Sequence, residues 1–341
     1  MDNPELNNKS GTEQYLDPFD GYASCPDTRR AYLSHSKENQ AYWMLKSEET
    51  VRDYLARLDS FANFRDAYAF LADKRHQIAV DLKQRTDEGR TDYYGNFRQE
   101  GDHLRQSVSF GDGEQFWRWQ KKRIFELTYK LVTPVRNIQL PDAKPGYIFE
   151  DDYLTCLKEK VFVDEKEATY YCITVKFPAG ICPADLIHSD SLSQIELYDF
   201  TDNEKFNLIR IEYTPVDNRT INGNYSVVDL YYHALLDWKP EDGIVSFLAH
   251  SAKLSFLTAH FLFVKQGNSG IIEWMVRAIA FKHGIYLGKF NYSENISWDF
   301  KAILTPNLDD YVVWYTTKLF SRYLYLNKLN NTEKFSFIMR E

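Results

Sequence analysis

The chain has 341 residues and a formal net charge of −8 at pH 7, and hydrophobic residues make up 44% of it. That length suffices for roughly two average domains or for one larger body with a sizeable core. The negative charge excludes a general nucleic-acid binder, because such a protein needs a basic face to neutralise phosphates.

Neither a metal site nor a membrane segment is expected from the sequence. The four cysteines are not spaced as metal-ligand pairs such as C-x-x-C. The longest apolar run, around 261–264, is interrupted by His250, Lys253 and His260, so it is too polar to span a bilayer. The N-terminal residues MDNPELNNKS contain no basic segment and no apolar run, so no Sec-type signal is expected. These features suit a reduced cytosol, and equally a protein exported without a cleavable signal.

The first part of the chain is predicted to be an irregular arm followed by helices. Residues 1–40 are rich in Asn, Asp, Ser and Gly, which favours an irregular arm. Apolar residues then recur with a helical period from about residue 41 to Leu82. Residues 84–113 lose that period and collect Gly, Asp and Arg, as a long loop does. A helix over Glu114–Val132 follows, and Thr133-Pro134 is predicted to stop it.

The middle of the chain is predicted to be β-rich, and helices return after it. Four runs rich in β-branched and aromatic residues lie between polar or Gly/Pro turns, at Leu154–Val163, Ala168–Phe177, Gln194–Phe200 and Phe206–Tyr213. After Asn224 the helical period returns over Val227–Leu236, Gly243–Val264, Gly270–His283 and Asp309–Leu326.

This order of helices, strands and helices predicts an α+β fold. The predicted division is an arm at 1–40, a helical part at 41–132, a β-rich lobe at 133–214, a second helical part at 215–328 and a tail at 329–341.

The candidate site lies where two buried helices meet at a Gly-rich turn. The turn 267–270 directs free backbone N–H groups toward whatever precedes the second helix, which suits an anion. Helix capping by Gly267 and Ser269 explains the same residues without any ligand.

The two helices also carry narrow polar stripes. His260 belongs to one stripe, and Glu273 and Arg277 form an i,i+4 pair on the other. These groups either line a charged pocket or satisfy one another inside a packed core. The residues alone favour the packed core for all three.

Residues 273–290, EWMVRAIAFKHGIYLGKF, resemble a segment of the avirulence protein B family. These proteins are effectors that plant-pathogenic bacteria inject into host cells. The shared features are the Arg-Ala-Ile-Ala core, the His-Gly-Ile closure and an Asn/Ser-rich loop that reaches Asp299. Shorter matches at 38–42 and 224–225 support the resemblance, which covers the first helix pair and most of 225–315.

The resemblance implies a Fic/Doc-like (Fido) fold, in which a helical core carries an inserted β-rich lobe. Fic enzymes have His-Pro-Phe-x-Asp/Glu-Gly-Asn-Gly-Arg at this helix–turn–helix. Here Leu262 stands in place of the catalytic base, Gln266 in place of the metal-binding acid and Gly270 in place of the arginine. Only Gly267 and Asn268 remain, which argues against ordinary adenylylation.

The function that the resemblance implies is a nucleotide-sugar-dependent glycosyltransferase, secreted by the bacterium into the host cell cytoplasm. It would place a deoxysugar such as rhamnose on a Thr or Ser hydroxyl of a host protein. Asp299 would act as a base on that hydroxyl or orient it. The donor diphosphate would bind at the turn, and three residues would shape the pocket, His260, Glu273 and Arg277.

The family has a basic residue in the turn, which corresponds here to Lys265 or Gln266. The diphosphate would contact these two residues together with Gly267, Asn268 and Ser269. A neutral Gln cannot neutralise phosphate charge as a guanidinium does. No metal, no membrane anchor and no cofactor besides the donor nucleotide or nucleotide sugar are expected. Two alternatives stay open: a non-catalytic host-protein-binding effector and a Fic-type adenylyltransferase.

Overall fold

The fold is taken from a computed structural model of the chain. It describes residues 37–84, 91–102, 104–109, 118–140, 146–187, 189–200, 207–213, 218–288, 290–291, 293–320 and 323–325. The predicted arm as far as residue 36 and the predicted tail lie outside the described residues.

The described helices fall before and after the strands at 146–213, as predicted, but a strand at Leu104–Ser109 precedes the third helix. The helices are α1 Lys37–Arg57, α2 Phe64–Asp81, α3 Arg118–Arg136, α4 Asn218–Leu236, α5 Ile244–Phe261, α6 Asn268–Lys282, α7 Trp298–Ile303 and α8 Leu308–Trp314. On α2 the predicted apolar stripe is confirmed, since Phe64, Tyr68, Leu71 and Ile78 are buried. The start of α2 is fixed by Asn63, whose side chain accepts a hydrogen bond from the Asp66 N–H.

Six antiparallel strands form one sheet in the order β1-β6-β5-β4-β3-β2. They are β1 Leu104–Ser109, β2 Gly146–Glu150, β3 Leu154–Val163, β4 Lys166–Lys176, β5 Ser191–Asp199 and β6 Leu208–Tyr213. A second pair, β7 Ile285–Leu287 and β8 Tyr323–Tyr325, is also antiparallel. The chain therefore has the α+β fold that the sequence predicts.

One face of the large sheet packs on helices. Buried and half-buried residues alternate along β3, from Leu154 to Lys158, as expected for a strand with one covered face. Helix α3 packs on β2, β3 and β4, and α5 packs on β5. The Lys158 ammonium donates to the backbone oxygens of Val135, Arg136 and Ile138 at 2.7–3.1 Å. This lysine thereby ties the carboxyl end of α3 to the sheet.

Helices α5 and α6 form the centre of the helical part, and most of their side chains are buried. Helix α5 packs against α4, α7 and α8, while α6 packs against α1 and α2. The Trp274 ring of α6 lies 5.5 Å from the Trp43 ring of α1. Each helix that the structure describes is too short or too polar to traverse a bilayer.

Three predictions about the elements are wrong. Pro134 does not stop its helix, and α3 continues to Arg136. The Lys158 ammonium donates to the Val135 and Arg136 oxygens at that end of the helix. The predicted loop 84–113 contains β1, which pairs with β6 along its whole length. The last predicted helix ends at Trp314 and, after a π-helical turn, gives way to β8, because this backbone pairs with β7.

Candidate functional site

The connection between α5 and α6 differs from the predicted cap arrangement. Leu262, with φ of 45°, is the left-handed residue that ends α5, and its N–H donates to the Thr258 oxygen at 3.1 Å. Gly267, with φ of 93°, is the N-cap of α6, and no side chain caps that helix start. Ser269 lies inside the first turn of α6. Capping of α5 by Gly267 and of α6 by Ser269 is therefore wrong.

A loop segment, residues 91–98, covers one side of this connection. The Lys265 N–H donates to the Asn96 oxygen at 2.8 Å, and the Gly95 N–H donates to the Gln266 oxygen at 3.0 Å. The Arg98 N–H donates to the Phe263 oxygen at 2.9 Å. These bonds hold the backbone of 263–266 against the loop segment.

Two of the predicted phosphate contacts are engaged inside the protein. The Lys265 ammonium pairs with the Asp102 carboxylate at 3.1 Å. The buried Asn268 side chain accepts from the Tyr68 hydroxyl at 2.6 Å and donates to the Thr258 oxygen at 2.9 Å. Asn268 thus joins α2, α5 and α6, and its side chain is structural.

A basic residue that the sequence did not single out, Arg75 of α2, lies at the turn. A Cβ placed on Gly267 would come within 2.8 Å of the Arg75 Nε. The guanidinium is stacked between the rings of Trp43 and Tyr94, 4.8 and 4.4 Å from their centroids. A sequence signal existed, because Arg75 occupies the apolar stripe of α2, four residues after Leu71.

His260 lies elsewhere, at a small cleft between the sheet and the helices. Its Nδ1 hydrogen-bonds the Ser193 hydroxyl of β5 at 2.9 Å. Burial lowers the pKa of His260 to about 3, so the ring is neutral at pH 7. The Arg98 guanidinium lines the same cleft and donates to the Phe261 and Asp102 backbone oxygens.

The low pKa of His260 predicts that the free energy of unfolding decreases as the pH falls. The folded pKa lies below the unfolded value of about 6.5, so the unfolded chain takes up this proton first as the pH falls. We expect His260 to add a slope of about 1.4 kcal/mol per pH unit to the unfolding free energy below pH 6. Urea unfolding of the wild type and His260→Asn between pH 6 and 4 measures this slope. Parallel curves would show that His260 does not cause it.

Glu273 and Arg277 border a separate, small cavity. The Arg277 Nε donates to the Glu273 carboxylate at 2.9 Å, and the two side chains are 3% and 5% exposed. The remaining guanidinium nitrogens donate to the Leu287 oxygen at 2.7 Å and the Gly288 oxygen at 3.2 Å. This pair anchors the end of β7 and belongs to the packed core that the residues alone favoured.

Asp299 lies at the start of the short helix α7. Its carboxylate accepts from the Ser297 hydroxyl and from the Phe300 N–H, the latter at 3.0 Å. The side chain is half-buried, and it is absent from the lining of both cavities. The structure therefore places Asp299 apart from the cleft of His260 and from the cavity of Glu273 and Arg277.

The candidate residues thus occupy four places: the turn with Arg75, the cleft with His260, the cavity with Glu273 and Arg277, and the start of α7. Among the described residues no group of three or more His, Cys, Asp or Glu is gathered as metal ligands. No protein-family model matches the chain, and no curated protein matches it at a significant level.

Proposed function

We propose that the protein is a secreted, host-directed transferase with a Fido-type helical core. It takes a nucleotide sugar as donor and modifies a Thr or Ser hydroxyl of a host protein in the host cell cytoplasm. The observation that supports this most directly is the start of α6, which has no side-chain cap and has the Arg75 guanidinium beside it.

The diphosphate of the donor carries negative charge that the binding site has to neutralise. A helix of 15 residues presents a partial positive charge at its first turn, which favours a diphosphate. Lys265 is committed to Asp102, and Gln266 is neutral. Arg75 therefore supplies the cation that the turn itself lacks. Gly267 allows this, because a Cβ there would collide with the arginine.

Nucleotide binding tests the proposal directly. At ~100 times its dissociation constant, one nucleotide sugar from a UDP and dTDP panel should stabilise the wild type by about 2.7 kcal/mol. Arg75→Gln should reduce that shift and Arg75→Lys should retain part of it, each read against the melting temperature of the unliganded variant. Arg65→Gln is the control, since Arg65 also covers an aromatic ring, that of Tyr225 at 5.2 Å, and contributes none of the atoms nearest to a Cβ placed on Gly267.

The role of Asp299 is tested by activity on a target. Asp299→Asn should abolish sugar transfer to the host protein while the nucleotide-induced thermal shift persists. A flat response of the wild type to every nucleotide, or an Arg75→Gln variant that responds like wild type, would contradict the proposal.

A second function, non-catalytic binding of a host protein, is favoured by the separation of the candidate groups. Asp299 borders neither cavity, and Asn268 is used to join three helices. If the protein only binds its target, mass spectrometry should find no modified target with the wild type. The Asp299→Ala variant should then bind the target as the wild type does. The same assay with wild type and variant therefore separates the two functions.

A further inference from the structure

The two outer strands of the large sheet differ sharply in chemistry. Within the described part of the chain, β2 pairs on one side only, with β3. Its residues read Gly-Tyr-Ile-Phe-Glu, and Ile148 is 65% exposed and Tyr147 39% exposed. An edge strand with exposed apolar side chains presents backbone N–H and C=O groups to another strand.

The opposite edge, β1, has the features that discourage such pairing. Arg105 and Ser107 are exposed, and the Arg105 guanidinium pairs with the Glu212 carboxylate of β6 at 2.8 Å. Charged and polar side chains protect an edge strand from association. The apolar edge at β2 is therefore the one suited to an intermolecular contact.

We propose that β2 pairs antiparallel with β2 of a second copy of this chain, across a two-fold axis at Ile148. In this register Ile148 faces its own copy, Tyr147 faces Phe149, and Gly146 faces Glu150. An isologous contact must be self-complementary, and here no two carboxylates stand opposite each other. The Glu150 carboxylate is also bonded to the Lys176 ammonium at 2.6 Å.

The β2–β2 contact does not depend on the proposed transferase activity. It predicts one sheet that continues through the dimer, with the helices of both copies on its covered face. Because β2 has five residues, the contact is small and the dimer should dissociate on dilution.

Sedimentation of the full chain over a range of concentrations tests the dimer. The wild type should show a monomer–dimer equilibrium. Ile148→Lys places two ammonium groups opposite each other and should raise the dissociation constant about tenfold or more. Ser107→Lys is the matched control, because Ser107 lies on the same cross-strand row at the other edge, through Arg210, Glu196, Cys172 and Leu157. That variant should dimerise like the wild type.

A charge swap tests the register itself. Ile148→Lys and Ile148→Glu should each be monomeric alone, and an equimolar mixture should restore the dimer, because opposite charges then meet at the axis. Thermal unfolding establishes that each variant is folded. The proposal is overturned by a wild type that stays monomeric, by an Ile148→Lys dimer as tight as the wild type, by equal loss in Ser107→Lys, or by a mixture that stays monomeric.

Discussion

Gly95→Ala should lower the free energy of unfolding by about 3 to 4 kcal/mol, from backbone strain and overpacking together. Gly95 has φ of 68°, which favours glycine, and an added Cβ would lie 2.1 Å from the Ala72 oxygen of α2. Backbone atoms cannot move aside as a flexible side chain does. The loop segment 91–98 would have to leave α2, and the bond from the Gly95 N–H to the Gln266 oxygen would break. Urea unfolding monitored by circular dichroism measures the loss.

The matched control is Gly101→Ala. Gly101 also has a positive φ, 83°, but an added Cβ would meet nothing within 4 Å. It should cost only the strain of the left-handed conformation, about 1 kcal/mol. The difference between the two variants isolates the close approach of the loop to α2. Equal losses would mean that the loop is not held against α2.

The sequence predicted the fold best where the composition of one long element marks that element without reference to a neighbour. Strand β3 was predicted with its observed limits, Leu154–Val163, because that run lies between polar turns and contains the β-branched residues Thr155, Val161 and Val163. Short elements whose pairing partners are distant in sequence were missed. Strand β1 has only six residues, and it is a strand because β6 lies beside it. Nothing in residues 104–109 alone encodes that neighbour.

The site was predictable only in part, for a similar reason. The turn at 267–270 is visible in the sequence, but the cation that lies at it comes from α2, nearly 200 residues earlier. From the sequence, Asn268 was predicted to be a turn residue that contacts phosphate. In the structure its side chain is instead hydrogen-bonded to Tyr68 and Thr258 and joins three helices. Spacing along one helix places side chains on a face, and it does not tell which distant helix covers that face.

Arg277→Met should lower the free energy of unfolding by about 3 to 5 kcal/mol, because it leaves the buried Glu273 carboxylate without its cation. The variant also removes the donors to the Leu287 and Gly288 oxygens. Urea unfolding at neutral pH measures the effect. Its matched control is Arg105→Met in the exposed pair with Glu212, whose side chains are 51% and 22% exposed. That variant should lose about 1 kcal/mol or less.

A second comparison separates lost charge balance from lost packing. If the unpaired carboxylate dominates, Glu273→Leu combined with Arg277→Met should be more stable than Arg277→Met alone, because no buried charge remains. If the carbonyl bonds of Arg277 dominate, the double variant should be no more stable than the single one. The first outcome means that Glu273 and Arg277 act as one unit, so neither could be spared to bind a ligand without destabilising the core. The second would mean that Arg277 stabilises the core chiefly through its bonds to the Leu287 and Gly288 oxygens.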